Sequence, residues 1–143
     1  MTTNQKGAIA EAAIAYEAVK LGIGVWRPLL DEPCDLILDF RPRILRVQCK
    51  WALRRGDVVS INMRRCRRSR EGLVHRSYGA DEIDAIAAYC AELETCYLLP
   101  RELSVERTMV LLRLRATRNN QSRGIRWARE YELGARLSHA PGP

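Results

Sequence analysis

The chain has 143 residues, which is enough for one domain core but too few for two independent cores. Hydrophobic residues make up 47% of the sequence, and this content excludes intrinsic disorder as the main state. The excess of 24 Lys and Arg over 17 Asp and Glu gives a net charge of +7, which favours a polyanionic partner. We therefore predict a single domain over residues 1–136, followed by a short tail over residues 137–143.

The positive charge is concentrated in two segments. Residues 41–76 carry a net charge of +10 and residues 101–136 carry +5, whereas residues 1–40 and 77–100 are acidic. Arginine clusters of this kind either bind nucleic-acid phosphates or form a solvated basic surface, and the composition leaves both interpretations open. The candidate phosphate-binding residues are Arg54, Arg55, Arg64, Arg65, Arg67, Arg68, Arg115, Arg118 and Arg126.

The numbers of cysteines and histidines limit the kinds of structural and catalytic site that the chain can form. Five cysteines form no C-x-x-C pair, which argues against a disulfide framework or a zinc knuckle and favours a reducing, cytoplasmic location. No charged-then-apolar leader opens the sequence, and no apolar run approaches the roughly 20 residues of a membrane span, so we expect no membrane partner. Because the chain has only two histidines, hydrolytic chemistry would rest on carboxylates, amides and lysine.

The first predicted element is a helix from Asn4 to Leu21, capped by Thr3 or Asn4 and followed by Gly22. Apolar residues recur at helical spacing at Ile9, Ala12, Ala13 and Tyr16. Glu11 lies in the neighbouring stripe among alanines, so we expect its carboxylate to be partly buried, and such carboxylates usually have a partner or a metal. Because Glu is also common on exposed helix surfaces, that alternative stays open.

The rest of the chain predicts a mixed sheet with helices on it. Short aliphatic or β-branched segments bounded by turn residues predict strands at residues 23–27, 34–40, 43–51, 57–63, 95–99 and 109–116. Helical spacing predicts a second helix over residues 81–93 and a short one over residues 124–132. Residues 64–78 show no periodic apolar pattern, and we interpret them as a mobile loop. This order of elements is typical of the α/β class.

Two of the predicted strands bring polar residues together. The hairpin between them is predicted to turn at Arg41-Pro42, and this register places Asp35 opposite Gln48. Lys50 follows two positions later on the same face. Taken singly, these residues are typical of turns and solvent-facing strands, but their convergence favours a functional site. The other face of the hairpin is predicted to be core, with Leu36, Leu38, Leu45, Val47 and Cys49.

These residues match a known pattern. Glu11 lies on a helix, and Asp35 begins a strand after a short turn. The next strand carries the Q-x-K motif Gln48-Cys49-Lys50. This combination resembles the PD-(D/E)XK nuclease superfamily, and more narrowly its group I intron homing endonuclease branch with a Q-x-K variant; the spacing is also similar to that of archaeal Holliday junction resolvases. The resemblance covers most of the chain, including residues 7–11, 45–50, 84, 119–121 and 126–128.

The resemblance implies a restriction endonuclease-like fold with an α-β-β-β-α-β core. It implies an enzyme that hydrolyses DNA phosphodiester bonds with Mg²⁺, or with Mn²⁺ as a substitute. Glu11, Asp35 and the main-chain carbonyl of Cys49 would hold the metal. Lys50 would stabilise the developing negative charge as a point cation. Gln48 completes the implied catalytic set but stands where the superfamily usually has an acidic ligand, so the affinity for the metal should be lower.

The implied partners are double-stranded or branched DNA and further copies of the chain. A chain of this length offers little surface for a long DNA site, so we expect a homodimer or a higher homo-oligomer. The leading motif departs from the superfamily pattern and reads Pro33-Cys34-Asp35. Two alternatives stay open: a structure-specific endonuclease similar to the junction resolvases, and a catalytically inactive basic DNA-binding protein in which Gln48 marks a dead site.

Overall fold

The structure is a computed structural model, and it describes residues 1–69, 72–105, 107–119 and 123–138. The helices are α1 (Thr3–Lys20), α2 (Ala128–Tyr131) and α3 (Ala135–Ser138), with a 3₁₀ turn at Arg101–Ser104. The strands are β1 (Gly24–Trp26), β2 (Leu36–Asp39), β3 (Ile44–Arg55), β4 (Val58–Asn62), β5 (Arg65–Ser69), β6 (Gly72–Arg76), β7 (Ala85–Cys90), β8 (Thr95–Pro100) and β9 (Met109–Arg113).

Within the described residues, the strands form a seven-stranded mixed sheet and a separate two-stranded sheet, the β5–β6 ribbon. Strand β3 organises the mixed sheet because its 12 residues are long enough to pair with three neighbours. It pairs antiparallel with β2 and β4 and parallel with β7. The strands β1, β8 and β9 extend the sheet antiparallel from β2, β7 and β4. This mixed sheet with flanking helices confirms the predicted α/β class.

The sheet has an apolar cluster on each face. Alternation along β7 places Ala85 and Ala87 in the cluster next to α1, and Ile86 and Ala88 in the opposite cluster. The cluster next to α1 contains every residue predicted for the buried face of the hairpin, namely Leu36, Leu38, Leu45, Val47 and Cys49. No helix in the described ranges is long and apolar enough to cross a bilayer.

Helix α1 begins with a capping box just before the predicted caps. Thr2 Oγ1 accepts a hydrogen bond from the Gln5 N–H at 3.1 Å, and Gln5 Oε1 accepts one from the Thr2 N–H at 2.7 Å. The predicted apolar stripe is wrong, because Ile9 and Tyr16 are 38% and 67% exposed. The buried stripe consists of Ala10, Ile14 and Ala18. Its two alanines let the helix pack close to the sheet, and this close approach leaves the bulkier pair outside.

The predicted second helix over residues 81–93 is wrong. Residues Ala85–Cys90 form β7, which runs parallel to β3 and is almost entirely buried. A strand that is covered on both faces shows no polar alternation, and alanine has a high helix propensity, so the local pattern favoured a helix. The crossover from β3 to β7 instead contains β4 and the β5–β6 ribbon.

The predicted loop over residues 64–78 is also wrong, because it contains the β5–β6 ribbon. The ribbon is antiparallel, with Arg65 opposite Arg76. A two-stranded ribbon that does not pair with the main sheet needs no strict alternation of apolar residues, so its sequence carries no strand pattern.

The C-terminal elements are shorter than predicted. The last strand ends at Arg113, and the predicted helix over residues 124–132 spans only Ala128–Tyr131 before α3 follows. The predicted domain limits at residue 136 stay a prediction, and residues 139–143 of the predicted tail lie outside the described residues.

Asp84 does not cap a helix but joins β7 to β3 through Arg46. Its Oδ2 accepts hydrogen bonds from the Arg46 backbone N–H at 2.8 Å and Nε at 3.1 Å, and its Oδ1 accepts one from Nη2 at 3.1 Å. The same guanidinium donates to the carbonyls of Ala80 and Asp81. Burial raises the pKa of Asp84, but the hydrogen bonds and charge of Arg46 outweigh it, so the pKa lies below its ordinary value.

Asp84→Asn is expected to lower the free energy of unfolding at pH 7 by about 1.5 kcal/mol, since one charge-assisted bridge between partly exposed groups is lost. A lowered folded-state pKa gives stability that is present above the unfolded pKa near roughly 4 and is lost on acidification. The deficit should therefore shrink at pH 3. Urea titrations at both pH values test this, with Asp81→Asn as the control because Asp81 hydrogen bonds to Arg46 through its carbonyl, and its charge acts on Arg46 less than that of Asp84. A deficit that is equal at both pH values would contradict this account of Asp84.

Candidate active site

Asp35 is held at the point where β2 begins beside β3. Its N–H donates to the Val47 carbonyl at 2.8 Å, and its Oδ2 accepts a hydrogen bond from the Cys49 N–H at 2.8 Å. The pairing of Leu36 with Val47 and the Phe40 N–H bond to the Arg43 carbonyl confirm the predicted turn and register. The Asp35 carboxylate thus accepts a β3 backbone N–H that would otherwise bond to a neighbouring strand, and it lies against the edge of β3.

Cys49 contributes its backbone to this edge and its side chain to the core. The thiol side is buried in the cluster next to α1, and burial raises its pKa strongly, so it stays protonated and is a poor metal ligand. In a regular strand, the N–H and C=O of one residue point to the same side. Because the Cys49 N–H meets Asp35, its carbonyl faces the same edge. A second hard oxygen donor therefore lies beside the carboxylate.

Glu11 approaches this edge from α1. It is half-buried, as predicted, and its Oε1 forms an ion pair with Arg27 Nη1 at 3.1 Å. The pKa of Asp35 is raised: burial is the largest cause, the Cys49 N–H opposes it, the Glu11 charge raises it further and the Lys50 charge lowers it. The charges of Glu11 and Lys50 thus both act on the Asp35 carboxylate.

Lys50 and Gln48 lie on the remaining part of β3. Lys50 Nζ donates to the Arg64 carbonyl at 2.8 Å and lies 5.3 Å from the centre of the Tyr78 ring. Gln48 pairs with Ile86 of β7 and is half-buried. Its position two residues before Lys50 puts both side chains on one face of the strand, as predicted.

The donor set fits a divalent cation such as Mg²⁺. In the part of the chain that the structure describes, no three His, Cys, Asp or Glu side chains cluster, so the site offers two carboxylates and one carbonyl. These are hard oxygen donors of the type that Mg²⁺ prefers, and Mg²⁺ keeps several waters or takes substrate phosphate oxygens to fill its shell. Burial chiefly, and the Glu11 charge in addition, raise the pKa of Asp35, and a bound cation would favour its ionised form.

Comparisons with known proteins decide the family. The model of the PD-(D/E)XK endonuclease family matches residues 1–134. The chain belongs to the PD-(D/E)XK endonuclease family. Its fold is similar to that of the bacterial homing endonuclease I-Ssp6803I, with a TM-score of 0.73 and 27% identity over 98% of this chain and 97% of that chain. No curated protein sequence matches significantly. These matches confirm the resemblance and the restriction endonuclease-like fold.

Four of the candidate arginines of this PD-(D/E)XK endonuclease lie near the β3–β4 turn or after β9. Arg55 and Arg118 line one cleft of about 530 Å³ between the β3–β4 turn and the residues after β9. Arg54 Nε donates to the Gly56 carbonyl, and Arg115 is exposed with Asp57 3.9 Å away.

The remaining candidate arginines fall into two groups. Arg64 lies next to Lys50, and Arg126 is half-buried with its carbonyl accepting the Arg113 N–H. The other candidates lie on β5, and their side chains are outside the described part of the structure: Arg65, Arg67 and Arg68. The structure therefore brings one pair into a common cleft and one arginine next to Lys50.

Three contacts of the PD-(D/E)XK site were missed by sequence reasoning. Arg27 pairs with Glu11, and Tyr78 together with the Arg64 carbonyl meets Lys50. No periodicity or motif marks these partners, because the contacts join residues at least 14 positions apart in the chain. The one available signal was the rarity of lysine: Lys50 is one of three lysines in the sequence.

Proposed function

We propose that the chain is a Mg²⁺-dependent DNA endonuclease that hydrolyses phosphodiester bonds, with Mn²⁺ as a possible substitute. The observation that carries this proposal is that Asp35 is hydrogen-bonded to the edge of β3 and is acted on by the charges of Glu11 and Lys50, in a PD-(D/E)XK family member. Two acids and a lysine at one site match the chemistry of metal-assisted phosphate hydrolysis.

The residues of this edge would divide the work as follows. Glu11, Asp35 and the Cys49 carbonyl would hold the cation, which when bound polarises a phosphate oxygen and lowers the pKa of a bound water. Lys50 would donate to the phosphate oxygens as negative charge develops on them. Gln48 would contribute a neutral amide beside them, so that the cation is held by two formal charges rather than three.

DNA would be held by the arginine-rich surfaces. The β5–β6 ribbon has dimensions that suit the major groove, which admits a two-stranded ribbon. It begins next to Lys50, so DNA lying along it passes the catalytic edge. The cleft with Arg55 and Arg118 lies five residues from Lys50 along β3, or about 17 Å at the rise of a strand, and would hold a more distant phosphate.

We propose double-stranded DNA as the substrate and a homing endonuclease-like mode of action. The similarity to I-Ssp6803I over nearly the whole of both chains supports this mode over a junction resolvase-like one. A homodimer or higher homo-oligomer follows from the small size of the chain. The described cysteines, Cys34, Cys49, Cys90 and Cys96, are buried and free, which supports a reducing, cytoplasmic location.

Incubation of supercoiled plasmid with the purified protein in Mg²⁺ tests whether the chain is an endonuclease or a DNA-binding protein with an inactive site. We expect nicked or linear product from the wild type. If the wild type binds DNA without cutting it while Gln48→Glu cuts it, the added charge has repaired a dead site and the endonuclease proposal is wrong. Faster cleavage of a four-way junction than of linear duplex would favour the junction resolvase-like alternative.

A further inference from the structure

The Lys50 ammonium is held by two residues that flank the β5–β6 ribbon. Its Nζ donates to the Arg64 carbonyl at 2.8 Å and lies 5.3 Å from the centre of the Tyr78 ring. Arg64 directly precedes β5, and Tyr78 follows β6 by two residues. Both ends of the ribbon therefore meet at the proposed catalytic lysine.

A lysine on a strand needs such partners to act at a defined point. The strand fixes its Cα, but the four-carbon side chain is flexible and its ammonium is a compact charge without preferred geometry. An aromatic face attracts an ammonium within about 6 Å of the ring centre, and a carbonyl fixes one N–H direction. The ring and the carbonyl together restrict the ammonium to a small volume above β3.

The two partners are themselves fixed. Tyr78 is only 3% exposed, and its carbonyl accepts a hydrogen bond from Arg101 Nη1 at 3.1 Å. The Arg64 N–H donates to Asn62 Oδ1 at 2.9 Å, which sets the orientation of the adjoining peptide group. The position of the ammonium is thus anchored both in the core and at the end of β4.

We propose that Tyr78 is a positioning residue for Lys50, and that its ring face and the Arg64 carbonyl aim the ammonium at the scissile phosphate. This inference rests on the proposed function, because it assumes that Lys50 acts in cleavage. Tyr78 is not one of the motif residues, and the inference assigns to it the positioning of the Lys50 ammonium. The face of the ring is the part that acts, so another aromatic residue should serve and an aliphatic one should not.

The test compares Tyr78→Leu with Tyr78→Phe. At saturating protein, Tyr78→Leu should lower the single-turnover cleavage rate by about tenfold, while Tyr78→Phe should stay within about threefold of the wild type. The Kd for DNA, measured in EDTA, should change by less than about twofold in both, because a positioning effect acts on the rate and not on binding. Tyr97→Leu is the matched control, since Tyr97 is 2% exposed in the same core cluster and lies on β8, with β7 between it and β3.

A surface variant tests the other partner without disturbing the core. Asn62→Ala removes the side-chain oxygen that accepts the Arg64 N–H and should slow single-turnover cleavage by about threefold, since one exposed hydrogen bond to a neighbouring group is lost. Asn62→Asp keeps an oxygen at that position and should restore the rate. A wild-type rate in Asn62→Ala would overturn the part assigned to the Arg64 carbonyl.

Three outcomes would overturn the part assigned to Tyr78: a wild-type rate in Tyr78→Leu, an equal loss in Tyr78→Phe, or an equal loss in Tyr97→Leu. Lys50→Ala in the same assay separates this failure from that of the proposed function. If Lys50→Ala is inactive and Tyr78→Leu is not, only the positioning inference fails. If Lys50→Ala cleaves at the wild-type rate, the part of Lys50 in the proposed function fails, and if the wild type does not cleave, the proposed function itself fails.

Discussion

Asp35→Asn is expected to lower DNA cleavage by roughly a thousandfold or more, because a metal ligand that supplies several kcal/mol of transition-state stabilisation loses its charge. The change keeps the size of the side chain and an oxygen that can accept the Cys49 N–H, so the hairpin should stay intact. DNA binding in the absence of metal should be retained or slightly tighter, since one negative charge near the phosphates is removed. Single-turnover cleavage and fluorescence anisotropy measure the two effects separately.

Asp39→Asn is the matched control for this change. Asp39 lies at the other end of β2, where its Oδ1 accepts the Arg41 N–H at 2.9 Å. It is an acid on the same strand without a place in the proposed site, and its variant should cleave like the wild type. Cleavage by Asp35→Asn within tenfold of the wild-type rate would refute the assignment of Asp35 as a metal ligand.

Lys50→Ala is expected to lower the single-turnover rate by about a hundredfold or more, in the range seen when one preorganised donor to a developing oxyanion is removed. Lys50→Arg should not restore it fully. A planar guanidinium is larger than an ammonium and cannot take the same place between the Arg64 carbonyl and the Tyr78 ring. DNA affinity should weaken only by the loss of one phosphate contact.

Lys20→Ala serves as the control for the loss of a lysine charge. Lys20 lies at the exposed end of α1, where it pairs with Glu17 at 3.2 Å. The variant changes the net charge by the same amount as Lys50→Ala and should cleave normally. A defect shared by both variants would mean that overall charge, rather than the position of Lys50, controls cleavage.

The hairpin of β2 and β3, which carries Asp35, Gln48 and Lys50, could be predicted from the sequence because its geometry is local. A turn at Arg41-Pro42 and strict alternation along two strands determine which residues share a face, and these rules place Asp35 against the strand of Gln48 and Lys50. The burial of Glu11 followed from its alanine neighbours on one helix. In each case the evidence lies within a few residues of the site.

The rest of the site depends on contacts between distant segments. The sequence of strand β7 predicts a helix because burial on both faces removes the alternation of polar and apolar residues. In the structure this buried strand pairs with β3 beside Gln48 and Lys50. Arg27 and Tyr78 reach the site only when β1 and the end of the ribbon are folded against α1 and β3. Local periodicity does not indicate which distant segments pack together, so these partners could be identified only from the structure.

The net charge of +7 is distributed unevenly between the arginines and the acids Asp35 and Glu11. The arginines are concentrated on the ribbon and near the β3–β4 turn, whereas Asp35 lies at the edge of β3 and is acted on by the Glu11 charge. Positive surfaces attract a polyanion of any sequence, but two adjacent carboxylates repel it unless a cation intervenes. For this reason we expect DNA cleavage to require a metal and DNA binding not to require one.

The most direct test of the account is the metal dependence of plasmid cleavage by the wild type. After treatment with excess EDTA, the protein should still bind plasmid but leave it supercoiled, and addition of Mg²⁺ in excess of the chelator should restore nicked and linear product. Cleavage that continues at the same rate in EDTA would contradict a site in which Glu11, Asp35 and the Cys49 carbonyl act by holding a divalent cation.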